Sequence, residues 1–321
     1  MTRALITGAG GFAGRHLLEY LRAATDWELW GVTRSGASLP GGARAATCDL
    51  LDAPAVAALI AETRPDFIFH LAAQSFVPAS FDDPAGTLTT NLLSQLNLFQ
   101  AVGAAKIDPV VLAVSSNEIY GLVRPEDVPV GELTPFRPVN PYAVSKAAQD
   151  LLAGQWFHSH KLRVVRARPF NHIGPGQREN FVAPAFARQI ALIERGLQPP
   201  VVRVGNLDAQ RDFTDVRDVV RAYHLAAVSG EPGAAYNIGS GRPVAIRSLL
   251  DILVSLSSAP IEIELDPARL RPADVPLVAC DASALRQRTG WTPAIRLEDT
   301  LRDILDEWRA SVAGEPPTPS P

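Results

Sequence analysis

The sequence predicts an α/β fold built on a doubly wound parallel sheet. Short apolar segments alternate with longer amphipathic segments through the first half of the chain. A glycine-rich turn follows the first apolar segment, and polar residues follow several of the others. Strands that alternate with helices form parallel sheets, and ligands bind beyond the carboxyl ends of their strands. We therefore expect the functional side chains at those ends.

The first element is a buried strand, residues 4–7, which a glycine-rich turn joins to an amphipathic helix. Glycines with the spacing Gly-x-x-Gly-x-x-Gly allow a tight turn and a close approach of the backbone to a pyrophosphate. The helix N-terminus then points at that anion. The turn is therefore predicted to bind a dinucleotide. The predicted contacts are Gly8, Gly11, Phe12, Ala13 and Gly14.

The second strand, residues 28–34, indicates which dinucleotide is bound. It ends in Thr33 and Arg34, at the place where a carboxylate would bind both hydroxyls of an adenine ribose. The absent carboxylate and the guanidinium of Arg34 favour a 2′-phosphate, so NADP(H) is predicted, with NAD(H) as the alternative. A solvated surface arginine is the other interpretation of Arg34. Asp49 and Leu50, at the end of the third strand, are predicted to contact the adenine.

The fourth strand, residues 66–70, leads into a segment with small side chains. Leu71, Ala72 and Ala73 follow it, and their backbone can approach a cofactor closely. Gln74 comes next and is predicted to contact the substrate.

The fifth strand, residues 109–114, follows a helix predicted over residues 91–105. It ends in the polar segment that contains Ser116, Asn117 and Glu118. These side chains are expected at the ligand-binding edge of the sheet.

A further segment with candidate catalytic residues begins at Asn140, which is predicted to be an N-cap, and Pro141, a first-turn proline. Tyr142 and Lys146 follow, one helical turn apart on one face. A nearby ammonium favours a phenolate, so Lys146 is expected to lower the pKa of Tyr142. Such a tyrosine can exchange a proton with an alcohol or a carbonyl. The alternative is a half-buried tyrosine beside a solvated lysine, brought together by chance.

Composition limits the class of protein. The 321 residues are 47% hydrophobic and 20% charged, which is typical of a soluble globular enzyme. A net charge of −4 argues against a nucleic-acid partner or a polybasic membrane surface. The two cysteines have no metal-ligand spacing, and neither an export signal nor a membrane-length apolar run is evident. We expect a cytoplasmic protein without a metal.

The motifs described above resemble the extended short-chain dehydrogenase/reductases, the NAD-dependent epimerase/dehydratase family. The resemblance rests on the glycine turn, His70-Leu71-Ala72-Ala73, Ser115-Ser116 and the Tyr142–Lys146 pair, and it covers nearly the whole chain. It implies a Rossmann-type sheet. It also implies that Tyr142 is the acid/base, that Ser116 hydrogen-bonds the reacting oxygen, and that Lys146 binds the nicotinamide ribose and tunes Tyr142.

Motifs in the second half are similar to those of the GDP-4-dehydro-6-deoxy-D-mannose reductases, which make GDP-D-rhamnose. The sequence Phe-Asn-His-Ile-Gly-Pro-Gly-Gln at residues 170–177 is the more selective motif, whereas residues 211–219 indicate only a nucleotide-sugar enzyme. The resemblance implies reduction of a C4 keto group by NAD(P)H. A GDP-mannose 4,6-dehydratase that uses Glu118 as an acid is the main alternative. A 4-epimerase and a catalytically idle cofactor-binding regulator are the others.

A sugar diphosphonucleotide requires cations for its diphosphate and polar groups for its sugar and base. The predicted substrate contacts are Gln74, Ser116, Asn117, Asn171, Val182, Asn206, Arg211, Arg271 and Asp274. Surface ion pairs are the alternative role for the two arginines. Three aspartates at 212, 215 and 218 have a spacing that fits a turn and a helix cap better than a metal site.

The expected organisation has two parts. Residues 1–168, with parts of 205–240, are predicted to form the NAD(P)-binding domain. Residues 169–204 and 241–311 are predicted to form a smaller mixed α/β substrate-binding lobe, and 312–321 a disordered tail. By resemblance, the helices near 91–105 and 141–158 would pair across a homodimer.

Overall fold

The computed structural model describes residues 1–36, 38–269 and 275–314. A seven-stranded sheet lies at its centre, and every described strand pair in that sheet is parallel. The strands, numbered along the chain, are β1 (Arg3–Thr7), β2 (Glu28–Thr33), β3 (Arg44–Thr47), β4 (Phe67–His70), β5 (Val110–Val114), β6 (Arg163–Pro169) and β10 (Ala235–Ile238). The predicted α/β fold class is confirmed.

The strand order across the sheet is β10-β6-β5-β4-β1-β2-β3. The direction of winding therefore reverses between β1 and β4. In open parallel sheets, a crevice for ligands forms outside the carboxyl ends of the strands at such a switch point.

Helices cover both faces of the sheet. They are α1 (Phe12–Ala24), α2 (Ala53–Thr63), α3 (Val77–Asp82), α4 (Pro84–Ala105), α5 (Pro141–His160), α7 (Val216–Ser229) and α9 (Ser283–Thr289). Apolar side chains of α1 and α7 pack in one buried cluster. Those of α2, α4 and α5 pack in another, against the opposite face. The sheet is thus buried on both sides, which explains its nearly continuous apolar strands.

A third apolar cluster lies among elements of the second half of the chain. These elements are β7 (Asn171–Ile173), α6 (Val182–Glu194), β8 (Val201–Val204), β9 (Gln210–Asp215), β11 (Pro243–Ala245), α8 (Ile246–Ser255), β12 (Glu262–Leu265) and α10 (Leu297–Val312). They include a three-stranded sheet, β11-β9-β7, and a two-stranded sheet, β12-β8. The predicted domain boundaries stay a prediction, and most of the predicted tail lies outside the described residues.

Two predicted boundaries differ from the structure by three residues or more. The helix expected from residue 91 begins at Pro84, because Asp83 caps it by accepting a hydrogen bond from the backbone N–H of Gly86. The third strand ends at Thr47, one residue before Cys48.

The three aspartates of the 211–219 run have structural roles, and all three are buried. Asp212 accepts hydrogen bonds from backbone N–H groups that include that of Cys280 (3.0 Å). Asp215 is the N-cap of α7, and Asp218 accepts two backbone N–H bonds from residues 294–295. The predicted helix cap is therefore confirmed at Asp215, whereas the predicted turn is wrong, because Asp212 lies within the strand β9. In the described ranges, no group of three or more metal-ligating side chains could hold a metal ion, and no helix is long and apolar enough to span a membrane.

Candidate active site

The glycine turn lies at the switch point between β1 and β4. Gly8 has a φ of +71°, and a Cβ placed on it would lie 2.8 Å from the backbone nitrogen of Ala72. A Cβ on Gly14 would lie 2.2 Å from the carbonyl oxygen of Gly8. Gly11, the N-cap of α1, leaves the first N–H groups of the helix without a side-chain cap. A tight backbone turn and an uncapped helix N-terminus fit a pyrophosphate. This is the place at which Phe12 and its neighbours are predicted to contact the dinucleotide.

The strands beside the turn carry the residues predicted to bind the adenosine end. Arg34 directly follows β2 and is exposed. Asp49 follows β3, is exposed, and accepts a hydrogen bond from the backbone N–H of Leu51 (3.0 Å). Leu50 is buried. A guanidinium therefore stands at the end of β2, where a carboxylate would select a free ribose.

A buried asparagine fixes the segment that follows β4. Asn91 accepts a hydrogen bond from the backbone N–H of Gln74 (2.7 Å) and donates to its carbonyl (3.0 Å). It also donates to Ser145 (2.8 Å), whose hydroxyl donates to the carbonyl of Tyr142 (2.7 Å). Asn91 thus links the predicted contacts Leu71–Gln74 to the helix of Tyr142. Nothing in the sequence beyond a polar residue in a helical segment indicates this link.

Ser116 follows β5 and lies next to Tyr142. Its Oγ accepts the backbone N–H of Glu118 (3.2 Å), and its side chain is near enough to Tyr142 to lower the pKa of that phenol. Asn117 and Glu118 begin a short 3-10 helix, Asn117–Tyr120. The serine and the phenol therefore meet at the sheet edge, as predicted, where both can contact one oxygen of a ligand.

The predicted lowering of the Tyr142 pKa is wrong for the ligand-free protein. Burial raises the pKa of Tyr142 above its ordinary value, and the charge of Glu118 raises it further, while Ser116 lowers it. Loss of hydration of the phenolate outweighs the attraction that the sequence led us to expect from Lys146. Tyr142 therefore holds its proton at neutral pH, which suits a proton donor.

Lys146 is buried, and its Nζ donates to the carbonyl of Val114 (2.8 Å). Burial lowers its pKa to about 7. His70 lies on the same face of the sheet. Burial and the charge of Lys146 lower the pKa of His70 to about 3, and its Nδ1 is hydrogen-bonded to Thr7 (2.9 Å). The histidine is neutral, so Lys146 is the group here that titrates near neutral pH.

The pKa of Lys146 has a consequence for stability that can be measured. Between about pH 7 and its unfolded value, the unfolded chain binds the proton and the folded protein does not, so stability rises with pH by up to about 1.4 kcal/mol per unit. Below pH 7 the folded protein carries the full cost of the buried ammonium. We expect Lys146→Met, without cofactor, to be more stable than the unaltered protein at pH 7, with a difference that shrinks toward pH 10. Urea unfolding at several pH values checks this, and a difference independent of pH contradicts it.

The second half of the chain contributes two of the predicted substrate contacts near this edge. Asn171 begins β7, and its buried Oδ1 has no protein partner among the described residues. Val182 begins α6, and the preceding Phe181 contacts the ring of Phe76 (centroids 6.0 Å apart). The start of α6 therefore lies against the segment of Gln74, which closes one side of the crevice.

Of the four other predicted substrate residues, the structure describes two. Asn206 follows β8 and accepts a hydrogen bond from the backbone N–H of Asp208 (3.0 Å). Arg211 lies on β9 and donates to the carbonyl of Val275 (2.5 Å). Arg271 and Asp274 lie outside the described residues. The roles of all four stay predictions.

A buried ion pair that was not predicted from the sequence holds α5 against the central sheet. Asp150, on α5, accepts two hydrogen bonds from Arg168 on β6, from Nε and Nη2, both at 2.8 Å. Arg168 also donates to the hydroxyl of Tyr120 (2.9 Å), which donates to Asn237 (2.7 Å). The pair ties the helix of Tyr142 and Lys146 to the sheet.

Comparisons with known proteins agree with this geometry. The family model for GDP-mannose 4,6 dehydratase matches residues 5–304. The chain is 43% identical to a GDP-6-deoxy-D-mannose reductase from Pseudomonas aeruginosa over 314 residues, 98% of this chain and 99% of that protein. It is 30% identical to GDP-mannose 4,6 dehydratase 2 of Arabidopsis thaliana over 326 residues, 95% of this chain and 86% of that protein.

A solved structure is similarly close. The structure of RMD from Pseudomonas aeruginosa complexed with NADPH matches with a TM-score of 0.87 and 42% identity, covering 97% of this chain and 100% of that one. The resemblance inferred from the glycine turn, Ser116 and the Tyr142–Lys146 pair is confirmed. The chain belongs to the GDP-mannose 4,6 dehydratase family of the extended short-chain dehydrogenase/reductases.

Proposed function

We propose that this protein reduces the C4 keto group of GDP-4-dehydro-6-deoxy-D-mannose to the hydroxyl of GDP-D-rhamnose, with NADPH as the reductant. The observation that carries the proposal is the 43% identity to a GDP-6-deoxy-D-mannose reductase across 98% of the chain. The Arabidopsis thaliana dehydratase has 30% identity over a similar length. The arrangement of Ser116 beside Tyr142 at the sheet edge is a second support, because the reaction needs a proton donor and a hydrogen-bond donor at one oxygen.

Each candidate residue has a distinct task in this reaction. Tyr142 donates its proton to the oxygen on C4, and Ser116 donates a hydrogen bond to the same oxygen as negative charge develops there. Lys146, held by the carbonyl of Val114, binds the nicotinamide ribose. NADPH, when bound, supplies the hydride.

The dehydratase reaction is the second candidate, because the matching family model describes that activity and Glu118 occupies the place of its acid. That reaction begins by oxidising C4, which requires Tyr142 to accept a proton. The higher identity to the reductase, 43% against 30%, favours the reductase.

The assay that tests the proposal supplies purified 4-keto sugar and measures the consumption of NADPH. A separate dehydratase prepares the 4-keto sugar from GDP-mannose and is removed before the assay. We expect NADPH oxidation with the 4-keto sugar and none with GDP-mannose. Loss of GDP-mannose without net NADPH consumption would identify a dehydratase and overturn the proposal as the sole activity.

The preference for NADPH is proposed to come from Arg34. Replacement with alanine removes the guanidinium that would bind the 2′-phosphate, so we expect Arg34→Ala to raise KM for NADPH about tenfold or more. NADH has no such phosphate, so its KM should change little. Arg44→Ala, at the other end of the neighbouring strand, is the matched control. Equal changes in KM for the two cofactors would contradict the assignment.

We also propose that the protein is a homodimer that works in the cytoplasm. Apolar side chains on neighbouring helices are exposed: Phe81 on α3, Leu93 on α4, and Val144 and Leu151 on α5. Such a patch suits a second copy of the chain. Both cysteines are free, which suits a reducing compartment.

The dimer is tested at Leu151, which is 63% exposed. A carboxylate at the centre of an apolar interface is costly to bury, so we expect Leu151→Glu to be a monomer. Light scattering after size-exclusion chromatography measures the mass. Leu133→Glu, a change at an exposed loop residue, should leave the mass unchanged. A dimeric Leu151→Glu would contradict the proposed interface.

A further inference from the structure

One buried side chain joins the two segments that carry the candidate catalytic residues. Asn140 donates from Nδ2 to Oε2 of Glu118 (3.0 Å) and accepts at Oδ1 from the backbone N–H of Ala143 (2.7 Å). Ala143 follows Tyr142 at the start of α5, and Glu118 donates its backbone N–H to Ser116. Asn140 thus completes a connection from the serine, through the glutamate, to the tyrosine.

An amide is the functional group that this position requires. Serine, threonine and aspartate cap helices as well as asparagine does, because a cap needs only an acceptor. Aspartate has no donor for Glu118, and a serine or threonine hydroxyl that caps α5 lies one bond nearer the backbone and does not reach it, whereas an amide has a separate acceptor and donor. Asn140 is only 9% exposed, so its NH₂ group has to find partners inside the protein. Asn140 therefore both caps α5 and donates a hydrogen bond to Glu118.

We propose that Asn140 is a positioning residue that holds the segment of Ser116 and Glu118 against the start of the helix of Tyr142. The inference rests on the proposed reductase function, since it concerns the two side chains that contact the reacting oxygen in that reaction. Glu118 is half-buried, so without Asn140 its carboxylate can turn toward solvent. The backbone N–H of Glu118, which Ser116 accepts, would then be free to move away from α5 and to take the serine hydroxyl with it. Asn140 acts through Glu118 and has no contact of its own with the reacting atoms.

A double-mutant cycle separates this role from capping. Asn140→Ser keeps the cap acceptor, but its shorter side chain has no donor that reaches Glu118. We expect it to lower kcat for the 4-keto sugar and NADPH about tenfold, with little change in KM or in the thermal midpoint. In a Glu118→Ala background the same change should alter kcat by less than about twofold, because the carboxylate that Asn140 holds is gone. Asn140→Asp also keeps the cap but sets two carboxylates together, so its loss should be larger.

Two results overturn the proposal. One is the same loss from Asn140→Ser in both backgrounds, which would mean that Asn140 acts only as a cap. The other is an unchanged kcat in Asn140→Ser or in Glu118→Ala. If the serine variant does not fold, Asn140→Thr supplies the same cap and enters the same cycle. Failure of the proposed function looks different, because the unaltered protein would then fail to oxidise NADPH with the 4-keto sugar.

Discussion

Tyr142→Phe should lower kcat by about 10³-fold while leaving the binding of NADPH almost unchanged. The substitution removes one oxygen from a side chain that is only 8% exposed, and phenylalanine fills nearly the same volume. The lost atom is the proton donor to the C4 oxygen. Ser116 still stabilises that oxygen, so a residual rate is expected.

Two measurements accompany this variant. Fluorescence titration with NADPH tests whether the cofactor site is intact, and Tyr20→Phe, on the opposite face of the sheet, serves as the matched control. Tyr20→Phe should retain full activity, because its hydroxyl contacts only His224 among the described residues. Activity of Tyr142→Phe within about tenfold of the unaltered protein would remove Tyr142 from the role of acid.

Asp150→Ala should destabilise the fold by about 3–5 kcal/mol, the largest stability effect that we expect from one substitution. The carboxylate of Asp150 is fully buried and accepts hydrogen bonds from Arg166 as well as Arg168. Its removal leaves the Arg168 guanidinium buried without a counter-charge. Since the pair anchors α5, the positions of Tyr142 and Lys146 depend on it.

The free energy of unfolding from urea denaturation measures this effect. The control is Asp108→Ala, which removes an aspartate from an exposed ion pair with Arg163 (3.7 Å) and should barely shift the midpoint. If Asp150→Ala unfolds at the same urea concentration as Asp108→Ala, the buried pair is not the anchor inferred here. Asp150→Asn, which keeps one acceptor oxygen and loses the charge, should fall between the two.

The sequence predicted those features that depend on short spacings. The glycine turn, the N-cap at Asn140 and the pairing of Tyr142 with Lys146 each lie within a few consecutive residues, where local geometry fixes the outcome. The start of α4 could have been found in the same way. Asp83 is an N-cap and Pro84 is a first-turn proline, and together they mark the start of this helix, which the prediction placed at Asn91.

Features that depend on burial or on distant contacts could not be predicted. The pKa of Tyr142 moves opposite to the prediction because hydration of the phenolate is lost in the fold, and a sequence does not state how deep a side chain lies. Asn91 and the Asp150–Arg168 pair each join segments separated by many residues. The link between Asn140 and Glu118 is of the same kind.

The proposed transfer of a hydride from NADPH to C4 of the 4-keto sugar can be followed directly. With NADPH that carries deuterium at the transferred position and the 4-keto sugar as substrate, nuclear magnetic resonance locates the label in the product. A reductase that uses Tyr142 and Ser116 as described places deuterium on C4 of GDP-D-rhamnose, with one deuterium for each NADPH consumed. A product without deuterium on C4, or a 4-keto sugar left unreduced, would contradict the account.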